Sequence, residues 1–205
     1  MSTRKPADER KAEIVAAMLR LADELGPDRL TTQTVADAVG LTQPAIFRHF
    51  PTKQDLWHAV AEAISDQLNR AWADALASSS DPHSRIEALV LVQLRQIDAI
   101  PAIPSILFSR ELQAENDDLR QTVLALMTDL VATLRAELSK GQEAGVFRSD
   151  LSAEDGAYLL VSLVQGLAIR WTLGKRGFSL AAEGQRLLAV QMRLFMTPRK
   201  EEIAR

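Results

Sequence analysis

Residues 32–56, TQTVADAVGLTQPAIFRHFPTKQDL, constrain the fold more than any other stretch, because helix starts and helix stops alternate through them at very short range. Thr32 is a candidate N-cap, whose hydroxyl can accept from the free amides of a first helical turn. Val35, Ala36 and Val39 follow at helical spacing. Gly40 stops that helix, since it takes the left-handed C′ conformation at no steric cost. Leu41 is apolar and can plug the space between helices. Thr42 starts the next helix, and Pro44 falls in its first turn, where a missing N–H does no harm. Pro51 ends it and pushes Phe50 out of the helical region. Thr52-Lys53-Gln54-Asp55 is a capping-box pattern that opens a third helix.

A helix, a short Gly turn and a second helix make a helix-turn-helix, whose second helix can lie in a DNA major groove. In that second helix Ile46 and Phe50, four apart, can seal one side, with Ala45 beside them. Thr42, Gln43, Pro44, Phe47, Arg48 and His49 are left for the outer face. Gln43 has the amide pair that bonds adenine N6 and N7, and Arg48 can fork onto guanine or a phosphate. Pro44 offers apolar contact to a thymine methyl. Polarity alone leaves a second reading open, a short polar surface helix between two core helices.

The string resembles the DNA-binding signature of the TetR (tetracycline-repressor-like) family of bacterial transcription regulators. Thr31 or Thr32, Val35-Ala36, Val39-Gly40-Leu41-Thr42, Ile46-Phe47, His49-Phe50, Lys53 and Leu56 fall at the family's spacing. Pro44 stands where the family often has Gly, and Phe47 where it usually has Tyr, so Phe47 keeps a ring contact and loses the phosphate hydrogen bond. The resemblance implies an all-α chain with a three-helix helix-turn-helix domain over 1–52. A helical ligand-binding and dimerisation domain over 53–205 would follow, connected by the helix that begins at 53. It implies a repressor on double-stranded DNA, released from a palindromic operator by a small hydrophobic or amphipathic ligand. The DNA-binding residues it implies are Thr32, Gln33, Thr42, Gln43, Pro44, Phe47, Arg48, His49, Thr52 and Lys53. In a two-fold homodimer the two recognition helices would lie roughly 34–36 Å apart, one DNA turn.

Charge argues for placement over bulk attraction. The formal net charge is −3 over 205 residues. In 1–57, eight Lys/Arg (4, 5, 10, 11, 20, 29, 48, 53) meet eight Asp/Glu (8, 9, 13, 23, 24, 28, 37, 55). DNA affinity must therefore come from cations gathered on one face. There is no Cys, which excludes disulfides and Cys-zinc sites. The polar N-terminus has no apolar core of a signal peptide; with Arg4 and Lys5 it reads as a solvated tail or, beside a helix-turn-helix, as an arm near phosphates. The most apolar stretch, 157–173, contains Ser162, Gln165 and Arg170 and reads as a buried helix. A cytoplasmic protein without a membrane partner is the expectation.

About nine helices are expected. An amphipathic helix covers 8–25, ended by Gly26-Pro27. A long helix from 53 to about 76 carries Leu56, Val60, Ile64, Leu68 and Trp72 every four residues. Ser84-Arg85-Ile86-Glu87 opens the next, which Pro101 and Pro104 break. A short helix is expected over 105–113, a long one from Asn116-Asp117-Asp118 to about 143, an apolar one from 153 to about 172, and a last one over 179–195. As in the family, the last two helices should pair across a two-fold axis through Gly156, Leu160, Leu163, Leu167, Leu187, Leu188, Leu194 and Phe195. Trp72, Gln93, Ile103, Leu107, Phe108, Met127, Gln165 and Trp171 are the candidate ligand-binding residues, mainly apolar with polar anchors.

Nothing positive supports an enzyme. His49, His58 and His83 are scattered without metal-ligand spacing, and no Gly-rich phosphate loop or GxSxG occurs. No metal, cofactor or catalytic residue is expected. The alternative to a ligand-released repressor is a DNA-binding architectural or partner-recruiting protein without an inducer.

Overall fold

The computed structural model describes residues 6–197; the Arg4 and Lys5 arm lies outside them. Among these residues there are ten α-helices, one 3₁₀ turn and no strand. The helices are α1 (Ala7–Leu25), α2 (Thr32–Ala38), α3 (Gln43–His49), α4 (Lys53–Ala77), α5 (Pro82–Ala99), α6 (Ala102–Phe108), α7 (Arg110–Glu115), α8 (Asp117–Glu143), α9 (Ala153–Leu173) and α10 (Leu180–Phe195). The 3₁₀ turn is Pro27–Arg29.

Two compact units emerge from the packing. One contains Met1–Gln67 and Ile100–Ala125, the other Leu68–Ala99 and Leu126–Arg205. The long helices α4 and α8 each supply residues to both. A 1–52 and 53–205 division follows the chain in order, whereas packing interleaves it, because α6 lies against α1 and α7 against the 3₁₀ turn.

The first unit forms where each apolar stripe meets another. Ile14, Ala17, Met18, Leu21 and Ala22 bury one face of α1. Gly26, at φ +86, turns the chain into the 3₁₀ turn. Asp28 there accepts the Ser109 hydroxyl at 2.6 Å, while Ser109 Oγ accepts the Leu112 amide at 3.0 Å. Ser109 thereby caps α7 and divides the expected 105–113 helix into two. Pro104 does not break the chain: it sits in the first turn of α6, where helical amides have no partner to lose. Similarly, α5 begins at Pro82, two residues ahead of Ser84, because Asp81 Oδ1 accepts the Ser84 amide at 3.2 Å.

In the second unit α10 packs on α5 and α9, and α5 on α9. Gly184 is buried where α10 meets Leu94 of α5, and Gly156 faces Leu138 of α8. Ser152 and Ser179 cap α9 and α10 through the amides of Asp155 and Ala182. The end of α10 is pinned by Arg148 N–H to Phe195 O at 2.9 Å and Thr197 N–H to Val146 O at 3.1 Å. By length and composition α9 could cross a membrane, but Gly156, Ala157, Leu160, Val161, Val164, Leu167, Ala168 and Trp171 are buried within the unit. That burial accounts for one side of its apolarity, and Tyr158, Leu159, Ile169 and Leu173 face outward.

Candidate nucleic-acid interface

The turn between α2 and α3 is built by backbone geometry. Thr31, not Thr32, is the N-cap of α2: its Oγ1 accepts the Thr34 amide at 3.1 Å. Val35 and Ala36 are buried. Gly40 adopts φ +66, and the Leu41 amide returns to Ala36 O at 2.9 Å, closing the helix end. Thr42 is extended and its carbonyl accepts the Ala45 and Ile46 amides, while its side chain makes no capping bond. Its hydroxyl is left exposed at the head of α3.

Ile46 and Phe50 seal α3 to the unit, at 0% and 5% exposure. Pro44, Phe47 and Arg48 face out, and Gln43 and His49 are half-buried. Phe47 shows an apolar ring at 38% exposure, large for an aromatic with nothing to cover it. Arg48 and Lys53 are exposed, without ion-pair partners among the described residues. Lys53 is the first residue of α4, where free amides and the helix dipole also favour an anion.

Three expected contacts are tied up within the protein. Gln33 donates to Asp37 at 2.7 Å. Gln43 donates its side-chain N–H to Thr32 Oγ1 at 2.6 Å, across the turn. Thr52 completes the capping box: its hydroxyl donates to Asp55 Oδ2 at 2.8 Å and accepts the Asp55 amide at 3.0 Å. A phosphate donor at Thr52 would have to leave a carboxylate that itself repels phosphate, so Thr52 serves α4 first.

Beside this face runs a groove of about 430 Å³ lined by α1, the end of α3 and the start of α4. Lys11 crosses it with its ammonium 5.8 Å from the Phe50 ring centre. His49, His58, Asp55 and Glu62 share its walls. Lys11 was not singled out in the sequence; its place one turn along α1 from Val15 was the available signal.

The other predicted residues distribute as follows. Gly156, Leu160, Leu167, Leu188 and Phe195 are buried within the second unit, Leu163 and Leu187 are half-buried, and Leu194 is 65% exposed. The outward apolar residues of these helices are Tyr158, Leu159, Ile169, Leu173, Val190 and the expected Leu194. A helix this apolar buries one stripe at home and presents another, here 159/162/166/169/173, and packing against α5 and α10 selects which. Gly166 lies on that stripe with open space above its Cα. Of the candidate ligand residues, Ile103, Leu107 and Phe108 belong to the first unit and Trp72, Gln93, Met127, Gln165 and Trp171 to the second. Trp72 donates to Gln93 Oε1 at 2.8 Å in buried surroundings. Trp171 is buried, its N–H spent on Phe178 O at 3.1 Å.

Comparison with known proteins agrees with this geometry. Residues 14–60 match the profile of bacterial regulatory proteins of the tetR family, and residues 82–190 match the C-terminal region of BetI-type transcriptional repressors. The chain belongs to the TetR family. It is a DNA-binding regulator, and its helix-turn-helix is the motif described above. It is 26% identical over 166 residues to the nucleoid occlusion factor SlmA of Marinobacter nauticus, covering 81% of this chain and 84% of that one. A transcriptional regulator from Saccharomonospora viridis, solved in complex with choline, superposes with a TM-score of 0.83 at 23% identity, over 94% of this chain and 100% of that one. The FadR regulator of Bacillus subtilis, solved with stearoyl-CoA, gives 0.74 at 16% identity, over 88% and 97%. These likenesses bear out the all-α fold.

Proposed function

We propose that this TetR-family chain is a dimeric repressor that grips a two-fold symmetric operator with α3 and lets go when a small apolar or amphipathic molecule binds its C-terminal region. The observation that carries the DNA half is the outer face of α3: Gln43, Phe47 and Arg48 project from a helix whose other side is locked by Ile46 and Phe50. Gln43 and Arg48 read base edges. Thr42, Lys53 and, from the groove, Lys11 and His49 hold phosphates. Phe47 and Pro44 pack against sugar and thymine methyl.

Dimerisation rests on the outward stripe Leu159, Ile169 and Leu173 of α9 with Val190 and Leu194 of α10. A second copy covering the same stripe removes it from water and gives each particle two α3 helices, one for each half-site. The match to BetI-type repressors over 82–190 supports repression. The relatives named nucleoid occlusion factors favour a second reading, a DNA-binding architectural or partner-recruiting protein without an inducer.

Chromatin immunoprecipitation with sequencing, in the source bacterium, decides between them. A few promoter-proximal peaks, each with a two-fold symmetric site, support the repressor. Dozens of sites scattered without regard to promoters support the second reading. Absence of any enriched site removes both.

A further inference from the structure

The bond from Gln43 to Thr32 has a consequence for which base α3 accepts. A glutamine amide offers one acceptor oxygen and two N–H donors. Free, it can turn either way: one donor plus the oxygen fits adenine, which shows N7 as acceptor and N6–H as donor, while both donors together fit the N7 and O6 acceptors of guanine. In this protein one N–H is already committed to Thr32 Oγ1 at 2.6 Å, a residue of the neighbouring helix α2 eleven positions back. One donor and the carbonyl oxygen remain, which is the adenine pattern and not the guanine pattern.

We infer that Thr32 is a positioning residue for base recognition: by holding one N–H of Gln43, it sets the amide to read adenine and to reject guanine. The inference rests on the DNA-reading role proposed above for α3. Several features of the site agree with it. Gln43 is half-buried, so its amide is not free to rotate through solvent. It is the first residue of α3 and Pro44 follows it, fixing the local backbone. Thr32 is itself in the first turn of α2, with Thr31 and Thr34 bonded to each other at 2.7 Å beside it. The acceptor is therefore on a capped helix and not on a loop. Holding the amide before DNA arrives also spares rotamer entropy that a loose Gln would lose on binding.

The test is selection of bound sequences from a random duplex library by the full-length protein and by Thr32→Val, Thr32→Ser and Gln43→Ala. The expected result has three parts. The wild-type protein enriches a two-fold site with adenine over guanine, by roughly tenfold, at one position per half-site. Gln43→Ala loses preference at that position alone. Thr32→Val still enriches the rest of the site but accepts guanine there, and Thr32→Ser, which keeps the hydroxyl, restores the adenine preference. The ratio of adenine to guanine is read within one protein sample, so loss of folded protein does not move it. Thr32→Ala is the second variant should valine distort α2. If the Thr32 variants keep the wild-type ratio while Gln43→Ala abolishes it, Thr32 does not position the amide. If Gln43→Ala leaves every position unchanged, Gln43 reads no base and the inference fails with DNA recognition intact. If the wild-type protein enriches nothing, sequence-specific reading by α3 itself is wrong.

Discussion

Trp72 donates its indole N–H to the side-chain oxygen of Gln93 at 2.8 Å, and the two residues, on α4 and α5, are buried at 5% and 7% exposure. Neither side chain can be left alone there. Replacing Gln93 with Leu strands the indole N–H, at a cost of about 1–3 kcal/mol. Replacing Trp72 with Phe as well removes the stranded donor, so the double variant should recover part of the loss. Urea unfolding of the four proteins measures the cycle. Equal and additive losses would mean that the bond contributes nothing beyond packing.

Arg48 and Lys53 should separate by what they touch. Arg48→Ala is expected to cost ~1–3 kcal/mol on the best operator and to relax preference at one position. Lys53→Ala should weaken all sequences alike and lower the slope of log affinity against log salt by about one. Thr52→Ala should act through stability, since its hydroxyl belongs to the capping box with Asp55. Fluorescence anisotropy at several salt concentrations gives the first two, and thermal melting the third. A Thr52→Ala protein of unchanged melting temperature but tenfold weaker binding would return Thr52 to the DNA face.

The proposed dimer face can be broken without touching the core. Leu159 and Ile169 are 46% and 42% exposed on α9. Changing both to Glu should leave the helical content intact, halve the mass seen by light scattering at micromolar concentration, and cut operator affinity by tenfold or more, because one α3 per particle reads half a site. The buried residue Leu160 makes the contrast: Leu160→Ala should lower stability by about 2–5 kcal/mol. A Glu variant that stays dimeric would place the interface elsewhere.

How far the fold was legible depends on whether a signal is local. Thr52-Lys53-Gln54-Asp55, Gly40 and Gly26 act within a few residues, and α1 to α4 begin and end close to where these signals put them. Two adjacent threonines differ only in which one meets an amide three residues on, so the cap at Thr31 was not separable from Thr32 by type. Pro104 misled because proline breaks a helix interior yet is harmless in a first turn, and which turn it occupies depends on where α6 starts. Harder still was the side of α9 that faces out. With leucines almost all round, the period does not say which stripe goes inward; α5 and α10 decide it by packing. The bond from Gln43 to Thr32 spans the α2–α3 turn, and only the crossing of two helices brings its ends together.

Asp81 gives a pH dependence of known sign. Hydrogen bonds from the Ser84 hydroxyl and from backbone amides at the head of α5 hold its carboxyl below the usual carboxylate range. A carboxyl with a lowered folded value contributes stability that is full above its unfolded value, about 3.9, and is lost as pH falls through the lower folded value. Asp81→Ala should therefore lower stability at neutral pH, by roughly 1 kcal/mol or less at so exposed a site, and flatten this part of the acid titration. The difference between the two proteins should shrink as pH drops below about 4. Denaturant melts at neutral and acid pH check it, and a difference that grows on acidification would contradict the cap.

The ligand should be long and apolar, not a quaternary ammonium. A cationic headgroup is held by aromatic faces with a compensating carboxylate. The candidate residues of the second unit, Trp72, Gln93, Met127, Gln165 and Trp171, contain no acid. Of the two tryptophans, Trp171 already has the Arg176 guanidinium 5.3 Å from its ring centre, which repels a second cation. Trp72 has spent its N–H on Gln93. Of the second unit's candidates, Met127 and Gln165 are half-buried, an apolar thioether and an amide, which suit an acyl chain and a neutral polar end better than a cation. A ligand releases operator only if it binds the DNA-incompetent form better, and by reciprocity operator must weaken that ligand by the same factor, typically 5–150-fold. Tryptophan fluorescence titrated with stearoyl-CoA and with choline, each with and without operator duplex, reads both. Stearoyl-CoA should bind, release the duplex and bind less tightly in its presence, while choline at millimolar concentration does none of these. Release by choline, or tight acyl binding that the operator leaves unchanged, would refute this ligand class or its coupling to DNA.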